Sequence, residues 1–598
     1  MAQVAASNVV HFFSVEVVLH RHALRLALAL LLIAACSRTA PEHPNPAANA
    51  ASGINPAWPF LQKARLAQGA KAMVVSGSPI ASEVGRDILQ AGGNAVDAAV
   101  AVGFALAVVH PEAGNIGGGG FMVIRLGDGA VNALDYRETA PGRATHDMYL
   151  NRQGEPTSLS DKGYLASGVP GSVAGMVEAQ RRYGRLPFKD VIAPAIRLAE
   201  EGFIVDEHRS RSIDEYRAWL YTYPASRRYF LPEKGQAPAP GSRWVQRDLG
   251  RTLEAIRDHG RDGFYRGWVA DSIVAEMHRG GGIISLEDLA GYKPIWREPI
   301  AITYRGRTIY SMPPSSSGGV TLGLILNIME GYGPLPAFGT PELLHREAEA
   351  MRRAFSDRNI YLGDPAFVTM PLPRLLSKEY AATLRKQIDL SRATPTPPFD
   401  PRLRDGNSTT HYSVVDSAGN AVSCTTTLND SYGSAVAVSG AGFLLNDEMD
   451  DFTVAPGKPN IYGLIQGEAN AIQPGKRMLS AMTPSIVVDS AGQLFMVVGT
   501  PGGPTIITQV YHVISNVIDH GMSLGDAVAA PRMHHQALPD AIRVERNGFQ
   551  PATLTALEQL GHKVETRGRW GDVEAIIRTP QGWEGVSDPR LGGGGAGY

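Results

Sequence analysis

Alternation of apolar and polar positions predicts two similar β-hairpins in the C-terminal third of the chain. Residues 411–416 and 421–428 form strand-like runs on either side of a Ser-Ala-Gly-Asn turn. A near copy follows at residues 485–489 and 494–499, joined by Ser-Ala-Gly-Gln. The repeated turn sequence is good turn chemistry and needs no further explanation.

Other segments carry the spacing of buried helices. Residues 94–109 are nearly all apolar, but the run contains Asp97 and begins with an asparagine suited to capping a helix. It is therefore predicted to be a buried helix packed on a sheet. Residues 342–361 give the clearest helical pattern, and apolar helices are expected at 506–518 and 552–560. Together with the hairpins, they favour a layered α/β sandwich.

The first half of the chain shows a glycine run and a mixed central region. Four glycines at residues 117–120 precede two predicted strands, 121–126 and 130–135. The run is not a phosphate-binding loop, because no Gly-Lys-Ser/Thr follows and a strand comes next instead of a helix. Residues 186–377 are interpreted as amphipathic helices and loops.

Composition places the chain among globular proteins. It has 598 residues, of which 44% are hydrophobic and 19% charged, with 66 glycines and 41 prolines. The formal net charge of −2 leaves no basic excess to hold a nucleic-acid backbone, so that partner class is excluded. The two cysteines are Cys36 and Cys424, and we expect no disulfide in the mature fold.

The N-terminal stretch has the pattern of an export signal. Basic residues at 20–25 precede an apolar run at 26–35, which is too short to span a bilayer. Residues 1–35 are predicted to be a lipoprotein signal, with Cys36 lipidated as the mature N-terminus in the periplasm or on the outer membrane. The alternative is an ordinary signal peptide cut nearby. Residues 36–59, rich in Pro, Ala and Asn, are predicted to be a flexible tether.

Three polar segments carry residue types used in catalysis or metal binding, but each has a plainer interpretation. Residues 313–319 contain three serines without the Gly-x-Ser-x-Gly elbow, which favours a tight loop. Asp450 and Asp451, taken alone, are typical of a solvated acidic loop. His534 and His535 are adjacent on an extended segment, so they point to opposite sides and have no evident third metal ligand.

A polar run at residues 406–408 leads abruptly into a strand that begins with Thr409. Alone this signal is weak, but several other blocks occur with it in a fixed order: residues 94–99, 133–138, 168–171, 446–452, 476–484, 499–503 and 531–536. Together they resemble the gamma-glutamyltranspeptidase family from about Ala72 to Tyr598.

The resemblance implies a fold and a maturation step. The family consists of N-terminal-nucleophile hydrolases with a four-layer αββα core, and its precursors cut themselves. Here the cut falls between Ser408 and Thr409, giving a large fragment, 60–408 after the tether, and a small one, 409–598, that remain together. Cleavage creates an α-amine on the threonine that carries the attacking hydroxyl, and with a pKa near ~8 this amine is a usable base.

Site residues follow from the resemblance position by position. Thr427 matches the threonine that hydrogen-bonds the nucleophile, and strand propensity alone would also place a threonine there. Gly502 and Gly503 match the pair of backbone N–H groups that forms the oxyanion hole. No cofactor or metal is implied, because the nucleophile, base and oxyanion donors all come from the chain.

The same comparison implies a pocket for both charges of an α-amino acid. Arg137 matches the residue that clamps the α-carboxylate, for which a guanidinium is well suited. Asn429, Glu448 and Asp451 match the residues that hold the α-amine. Tyr462 falls in the stretch that matches the lid loop, which is intact here.

One position departs from the family pattern. The family usually has two adjacent serines on the α-carboxylate, and here they are Ser480 and Ala481. A lost hydrogen bond to a charged group costs about 1.5–3 kcal/mol, or about ten- to a hundredfold in affinity without compensation. The missing hydroxyl at Ala481 also favours an alternative substrate with a different acyl group, such as the glutaryl side chain taken by related cephalosporin acylases. Retained Glu448 and Asp451 argue against that alternative.

The expected activity is therefore gamma-glutamyl transfer. The chain is expected to take the gamma-glutamyl group of glutathione and similar amides onto Thr409, then pass it to water, an amino acid or a dipeptide. The two fragments would act together as a heterodimer, tied to the membrane by a lipid anchor. Two alternatives remain open at this point: an acylase with another donor, and an uncut, inactive lipid-anchored binding protein.

Overall fold

The structure is a computed structural model that describes residues 53–395 and 409–598. Its strands are β1 (Arg65–Gly69), β2 (Met73–Ser76), β3 (Gly119–Arg125), β4 (Val131–Asp135), β5 (Phe203–Ile204), β6 (Arg243–Trp244), β7 (Ile295–Arg297), β8 (Ile300–Tyr304), β9 (Arg307–Ser311), β10 (Thr410–Val415), β11 (Ala421–Thr427), β12 (Ser485–Val488), β13 (Leu494–Gly499), β14 (Met533–His534), β15 (Ile542–Glu545), β16 (Val564–Arg567), β17 (Glu574–Thr579), β18 (Gly582–Ser587) and β19 (Gly594–Gly597).

The α-helices are α1 (Pro79–Gln90), α2 (Ala95–Val109), α3 (Ser172–Tyr183), α4 (Phe188–Glu201), α5 (Glu207–Glu215), α6 (Arg217–Thr222), α7 (Pro224–Phe230), α8 (Arg247–His259), α9 (Asp262–Tyr265), α10 (Gly267–Gly280), α11 (Leu286–Gly291), α12 (Gly318–Glu330), α13 (Pro341–Tyr361), α14 (Leu372–Leu375), α15 (Lys378–Arg385), α16 (Thr505–Ile518), α17 (Leu524–Ala529) and α18 (Pro551–Gln559).

Two seven-stranded sheets form the centre of the molecule. In the first, here called sheet A, the strand order is β19-β2-β10-β11-β3-β4-β7. In the second, sheet B, the order is β1-β18-β17-β13-β12-β9-β8. The predicted hairpins are both present, but they lie in different sheets: β10 and β11 in sheet A, β12 and β13 in sheet B. The α/β class and the sandwich are thus confirmed.

Three separate cores account for four layers. Along β2, Val74 packs in one core with the helices α1 to α4, whereas Met73 and Val75 pack in a core between the two sheets. Strand β10 repeats this alternation, with Val414 on the helix side and Val415 between the sheets. Because successive side chains of a strand point to opposite faces, both faces of sheet A are buried.

Sheet B completes the sandwich in the same way. Val497 of β13 lies in the core between the sheets, while Met496 and Val498 pack with the helices α12, α13 and α16. The layers therefore run helix, sheet, sheet, helix, as the αββα expectation requires.

The two hairpin turns share one hydrogen-bond pattern. Asp416 Oδ1 accepts from the N–H groups of Ala418 and Asn420, each at 2.9–3.0 Å. Asp489 Oδ1 does the same for Ala491 and Gln493 in the second turn, at 2.9 Å each. The repeated turn sequence is therefore repeated turn geometry, with a side-chain oxygen in place of a backbone acceptor.

Helix α2 is buried along its whole length, as predicted. Its cap is reciprocal: Asn94 accepts from the backbone N–H of Asp97, and Asp97 accepts from the backbone N–H of Asn94. None of the helices in the described residues has both the length and the apolar run needed to cross a membrane.

The interpretation of residues 186–377 as helices and loops was incomplete. Strands β8 and β9 lie in this region and form an edge hairpin of sheet B, with β9 paired to β12. The sequence Ile-Ala-Ile-Thr-Tyr of β8 alternates buried and exposed side chains, which is the signal of a strand with one covered face.

The tether was predicted to run to residue 59, but its last residues are packed. Ile54 forms a β-bridge with Phe549, and both Ile54 and Trp58 are buried. The indole N–H of Trp58 donates to the carbonyl of Ala529 at 2.9 Å. These two apolar side chains have enough surface to bind the body of the protein, so the described part of the segment is not a tether.

Candidate active site

Thr409 lies immediately before β10, at the end of sheet A. The antiparallel register of β10 with β11 pairs Thr410 with Thr426, so Thr409 faces Thr427 across the strand ends. The Thr409 hydroxyl donates to Thr427 Oγ1 at 3.1 Å, and both side chains are buried. Strand register alone thus brings together the two threonines that the sequence selected. Ser408 lies outside the described residues.

Thr427 is held in turn by the loop that follows β11. Its Oγ1 also accepts from the backbone N–H of Asn429 at 2.9 Å. Asn429 has φ +80°, a left-handed conformation that asparagine tolerates better than most residues. Its side-chain amide donates to the carbonyl of Asp447 at 2.9 Å. The loop therefore fixes the Thr427 oxygen towards Thr409.

A glycine turn between β13 and α16 lies beside Thr409. Gly502 has φ +133° and Gly503 has φ +55°, conformations that require glycine or are strained in other residues. Their carbonyls accept from Thr505 and Ile506, but neither N–H donates a hydrogen bond within the described residues. Two backbone donors are thus available next to the threonine hydroxyl. Gly503 lines the cavity.

The opposite end of the cavity is charged. Arg137 is 1% exposed and forms ion pairs with Glu448 and Asp451. Its Nη1 also lies 3.6 Å from Glu138, and its Nε donates to the carbonyl of Met478 at 3.3 Å. One guanidinium is therefore surrounded by three carboxyl groups.

Burial and charge act against one another in this cluster. Burial raises the pKa of Glu138 to about 8 and raises the pKa of Glu448 and Asp451 as well, while the charge of Arg137 lowers all three. Burial lowers the pKa of Arg137, but the surrounding carboxylates outweigh it and the net shift is upward. The guanidinium is thus permanently charged, and its acidic neighbours share the compensating charge.

The solvated acidic loop expected from Asp450 and Asp451 alone is wrong. Residues Glu448–Asp451 form a buried 3₁₀ turn. Asp450 accepts from the Ser160 hydroxyl at 2.7 Å and from the backbone N–H of Ile461 at 2.9 Å. These partners replace water, and the second of them ties the acidic turn to the neighbouring lid segment.

The lid segment, residues 456–463, contributes Tyr462 to the cavity wall. The Tyr462 hydroxyl donates to the carbonyl of Asn429 at 3.0 Å, and its own carbonyl accepts from Gln536 at 3.2 Å. A Cβ added to Gly503 would meet the Tyr462 ring at 3.2 Å. The lid therefore packs directly on the glycine turn.

Ser480 and Ala481 line the cavity between its two ends. Ser480 Oγ accepts from the backbone N–H of Met482 at 3.1 Å, and its carbonyl accepts from the Ser317 hydroxyl at 2.6 Å. Residues 313–317 are thus a tight loop, as expected, whereas Gly318 and Gly319 begin α12. The serines of the loop are buried. Their hydroxyl groups support the cavity wall and do not line it.

The two ends belong to one cavity. All predicted catalytic and substrate-binding residues except Gly502 line it. Residues that the sequence did not single out also line it: Arg358, Leu464, Leu479, Met482, Pro504 and Ile506. Arg358 follows Met351 and Phe355 on one buried face of α13, so helical spacing could have placed it inside.

The paired histidines lie elsewhere and have separate partners. His534 Nδ1 lies 2.9 Å from Thr508 Oγ1, and His535 Nε2 lies 3.1 Å from Asp540. Within residues 53–395 and 409–598, no group of three His, Cys, Asp or Glu side chains has the arrangement of a metal site.

The αββα sandwich, with a hydroxyl residue at the start of a central strand, defines the architecture of an N-terminal-nucleophile hydrolase. The chain belongs to the gamma-glutamyltranspeptidase family, whose sequence model matches residues 81–598.

Three similar proteins illustrate the relationship. The chain is 45% identical over 572 residues to the glutathione hydrolase proenzyme of Escherichia coli K12, covering 95% of this chain and 97% of that protein. A crystal structure of Helicobacter pylori gamma-glutamyltranspeptidase is 47% identical and has a TM-score of 0.52, covering 53% and 91% of the two chains. A cephalosporin acylase from Bacillus halodurans has a TM-score of 0.80 at 30% identity, covering 91% and 98%.

Proposed function

We propose that the chain is a gamma-glutamyl acyltransferase and glutathione hydrolase with Thr409 as its nucleophile. One observation supports this most directly. The buried Thr409 hydroxyl hydrogen-bonds Thr427 at one end of a cavity, and an arginine with two paired carboxylates lies at the other end. A γ-glutamyl group has its reacting carbonyl at one end and an ammonium and a carboxylate at the other, so the polarity of the cavity matches it.

Maturation comes first. Scission between Ser408 and Thr409 frees an α-amine on Thr409, and the chain then acts as two associated fragments. In the mature site this amine removes the proton from Thr409 Oγ as the oxygen attacks the γ-carbonyl carbon. The Gly502 and Gly503 N–H groups hold the oxyanion that forms, and each such donor is worth about 2.7–4 kcal/mol in the transition state.

Collapse of this tetrahedral species breaks the γ-amide bond. The departing amine takes the proton held by the α-amine, and the γ-glutamyl group remains as an ester on Thr409. Water or the amine of an amino acid then attacks the ester carbonyl and gives its proton to the α-amine. The bond between Thr409 Oγ and the acyl carbon breaks, and Thr409 Oγ takes that proton, which restores the free hydroxyl and releases the product. Thr427 orients the nucleophile through its hydrogen bond, and Tyr462 excludes water from the opposite side.

Recognition uses the charged end. Arg137 pairs with the donor α-carboxylate, and Glu448, Asp451 and Asn429 hold the α-amine. In the ligand-free cavity Arg137 pairs with the acids themselves. When a zwitterionic donor binds, one ion pair within the protein is replaced by two ion pairs between the protein and the donor. No charge is then left buried alone. Ser480 adds a neutral contact beside the α-carboxylate.

A second candidate donor class is the glutaryl group, favoured by Ala481 and by the similarity to the cephalosporin acylase. It carries the carboxylate without the α-amine. Turnover of γ-glutamyl and glutaryl anilides by the purified enzyme separates the two. The proposal requires the γ-glutamyl anilide to be cleaved faster, and faster glutaryl release would overturn the choice of substrate.

The nucleophile is tested by following maturation. Wild-type protein should give two bands on a denaturing gel, and sequencing the smaller band should begin at Thr409. Thr409→Ala should remain a single chain without activity. Thr410→Val is the matched control, since Thr410 is also buried but does not line the cavity, and it should still mature. A wild-type preparation that stays uncut and still turns over would overturn the mechanism.

We also propose export and lipid attachment at Cys36, which lies outside the described residues. The support is the apolar run at 26–35 that ends at this cysteine. Labelled palmitate should be incorporated into the large fragment of wild-type protein and not into Cys36→Ala. Unlabelled wild-type protein in the soluble periplasmic fraction would favour ordinary signal cleavage instead.

A further inference from the structure

Arg358 is a buried cation that faces the substrate cavity. It lies near the end of α13, is 1% exposed, and lines the cavity together with Ser480 and Ala481. Two of its nitrogens are engaged inside the protein. Nε donates to the Ser317 hydroxyl at 2.9 Å, and Nη1 donates to the side-chain oxygens of Asn359 and Gln466 at 2.9 and 3.1 Å.

These partners are all neutral. Arg358 has no ion-pair partner within the described residues, and its Nη2 makes no hydrogen bond to them. Burial lowers the pKa of the guanidinium to about 10, and the charge of Asp451 acts in the opposite direction. The side chain is therefore still protonated at neutral pH, and its charge is not matched by a paired carboxylate.

Three other deeply buried arginines of this protein each pair with a carboxylate. Arg590 pairs with Glu545 and Asp588, and Arg532 pairs with Asp588. Arg137, in the same cavity as Arg358, pairs with two acids. An unpaired buried charge is costly, so its position at the wall of a cavity indicates that an anion supplies the missing partner there.

The anion must satisfy the rest of the cavity. The acids near Arg137 line the same cavity as Arg358, so the ligand must carry a positive charge as well as a negative one. An α-amino acid head group meets both conditions. We infer that Arg358 is a second cationic contact for the α-carboxylate of the γ-glutamyl donor, on the side where Ala481 lacks a hydroxyl; this inference rests on the proposed function.

The assignment accounts for the departure at position 481. A serine there would give the carboxylate one neutral hydroxyl, whereas the guanidinium of Arg358 gives it a charged donor. With Arg137 on one side and Arg358 on the other, the carboxylate is held without the second serine. Arg358 is thus a specificity-determining residue for donors that carry an α-carboxylate.

The test compares two donors that differ only in this group: γ-glutamyl anilide and 4-aminobutyryl anilide. Arg358→Gln should lower kcat/KM for the first by roughly ten- to a hundredfold, mainly through KM, because a hydrogen bond to a charged group is lost. The effect on the second should stay below about threefold. Arg358→Lys should retain part of the preference, since it keeps the charge and loses the geometry.

Controls separate a substrate contact from a structural role. Arg352→Gln removes a buried arginine of the same helix that pairs with Asp540 and does not line the cavity, so any loss should be equal for both donors. An equal loss in Arg358→Gln would overturn the inference. If Arg358→Gln fails to mature into two fragments, inhibition of Arg358→Lys by glutamate and by 4-aminobutyrate gives the same comparison, and an unchanged ratio overturns it.

The proposed function has a separate readout in the same experiment. Wild-type enzyme that does not prefer γ-glutamyl over 4-aminobutyryl anilide would refute γ-glutamyl specificity itself. A second comparison uses Ala481→Ser. The added hydroxyl should lower KM less than threefold in the wild type and more in Arg358→Gln, where the carboxylate has lost a donor. A gain of tenfold or more in both backgrounds would show that Arg358 does not compensate.

Discussion

The two ends of the cavity are built from different chemistry. At the reaction end, Thr409, Thr427 and the glycine turn contribute hydroxyls and backbone N–H groups that carry no net charge. At the recognition end, Arg137 and its carboxylates form buried ion pairs, and Arg358 adds a second cation. Strand register and turn conformation determine the positions of the neutral groups. The charged groups are instead held by the balance of charge among them.

This contrast separates turnover from binding. In the proposed mechanism, the neutral groups need not rearrange when negative charge appears on the substrate oxygen, so they act on the transition state. In the proposed binding mode, the charged groups meet parts of the donor that do not react, so they act mainly on affinity and donor choice. Variants at the two ends should therefore differ in whether kcat or KM changes.

The largest effect is expected from Gly502→Ala at the reaction end. Its φ of +133° is rarely adopted by other residues, so alanine should move the turn and misplace both N–H donors. We expect kcat to fall about a hundred- to a thousandfold with little change in KM. Gly492→Ala is the control, because it also has a positive φ but lies in a hairpin turn with open space around it. A similar fall in both variants would contradict the assignment.

Asp451→Asn should have the next largest effect, at the recognition end. It removes a charge that pairs with Arg137 and is proposed to hold the donor α-amine. KM for γ-glutamyl anilide should rise about ten- to a hundredfold, with a smaller change for glutaryl anilide, which lacks the amine. Steady-state kinetics with both donors measures this difference. A loss confined to kcat would erase the distinction between the two ends.

Thr427→Val should have a smaller effect on turnover. The change keeps the shape of the side chain and removes the oxygen that accepts from Thr409 at 3.1 Å and from Asn429 at 2.9 Å. A neutral hydrogen bond contributes about 0.5–1.5 kcal/mol, so kcat should fall roughly two- to tenfold. Thr427→Ser, which keeps the hydroxyl, should stay near the wild type. Equal values for valine and serine would show that the hydroxyl has no role.

The smallest expected effect is a fall in thermal stability between pH 7 and 8.5. Burial raises the pKa of several carboxyls in the folded protein to about 7 or 8: Glu138, Glu347, Asp447, Asp450 and Asp572. The folded state thus holds protons that the unfolded state has released, so raising the pH favours unfolding until these groups ionise.

The range from pH 7 to 8.5 avoids an opposing effect of His411 on stability. Burial lowers the pKa of His411 to about 3, so the unfolded state binds a proton there only below the ordinary histidine pKa, near ~6.5. That histidine therefore weakens the fold on acidification and has little effect above pH ~7. Melting curves at constant ionic strength test the prediction, and a midpoint that rises from pH 7 to 8.5 would contradict it.

Much of the fold was predictable because local pattern and global structure agree. The hairpins β10–β11 and β12–β13 combine runs of β-branched residues with turns in which an aspartate side chain accepts backbone hydrogen bonds. Helix α2 carries its own capping residues. The family blocks located most cavity residues, since those residues sit in short segments around strand ends.

The missed features depend on distant contacts. Strands β8 and β9 join sheet B through the pairing of β9 with β12, and Trp58 is buried through contacts with distant residues such as Ala529 and Arg590. Helical spacing could place Arg358 on the buried face of α13, but its position at the cavity depends on how α13 packs. The burial of Asp450 likewise needs Ser160 and the lid, which lie far away or in another loop.

Sheet topology carries a consequence for how such an enzyme is made. A cut before Thr409 leaves seven of the fourteen strands of sheets A and B in each piece. Strands of the two pieces are neighbours in both sheets. In sheet A, β2 lies between β19 and β10 of the C-terminal piece, and in sheet B, β1 and β9 each pair with a strand of that piece. If the two pieces were produced from separate genes, each would expose unpaired strand edges, and such edges promote aggregation. Synthesis as one polypeptide avoids these unpaired edges, because the strands of both pieces pair in the two sheets before the chain is cut.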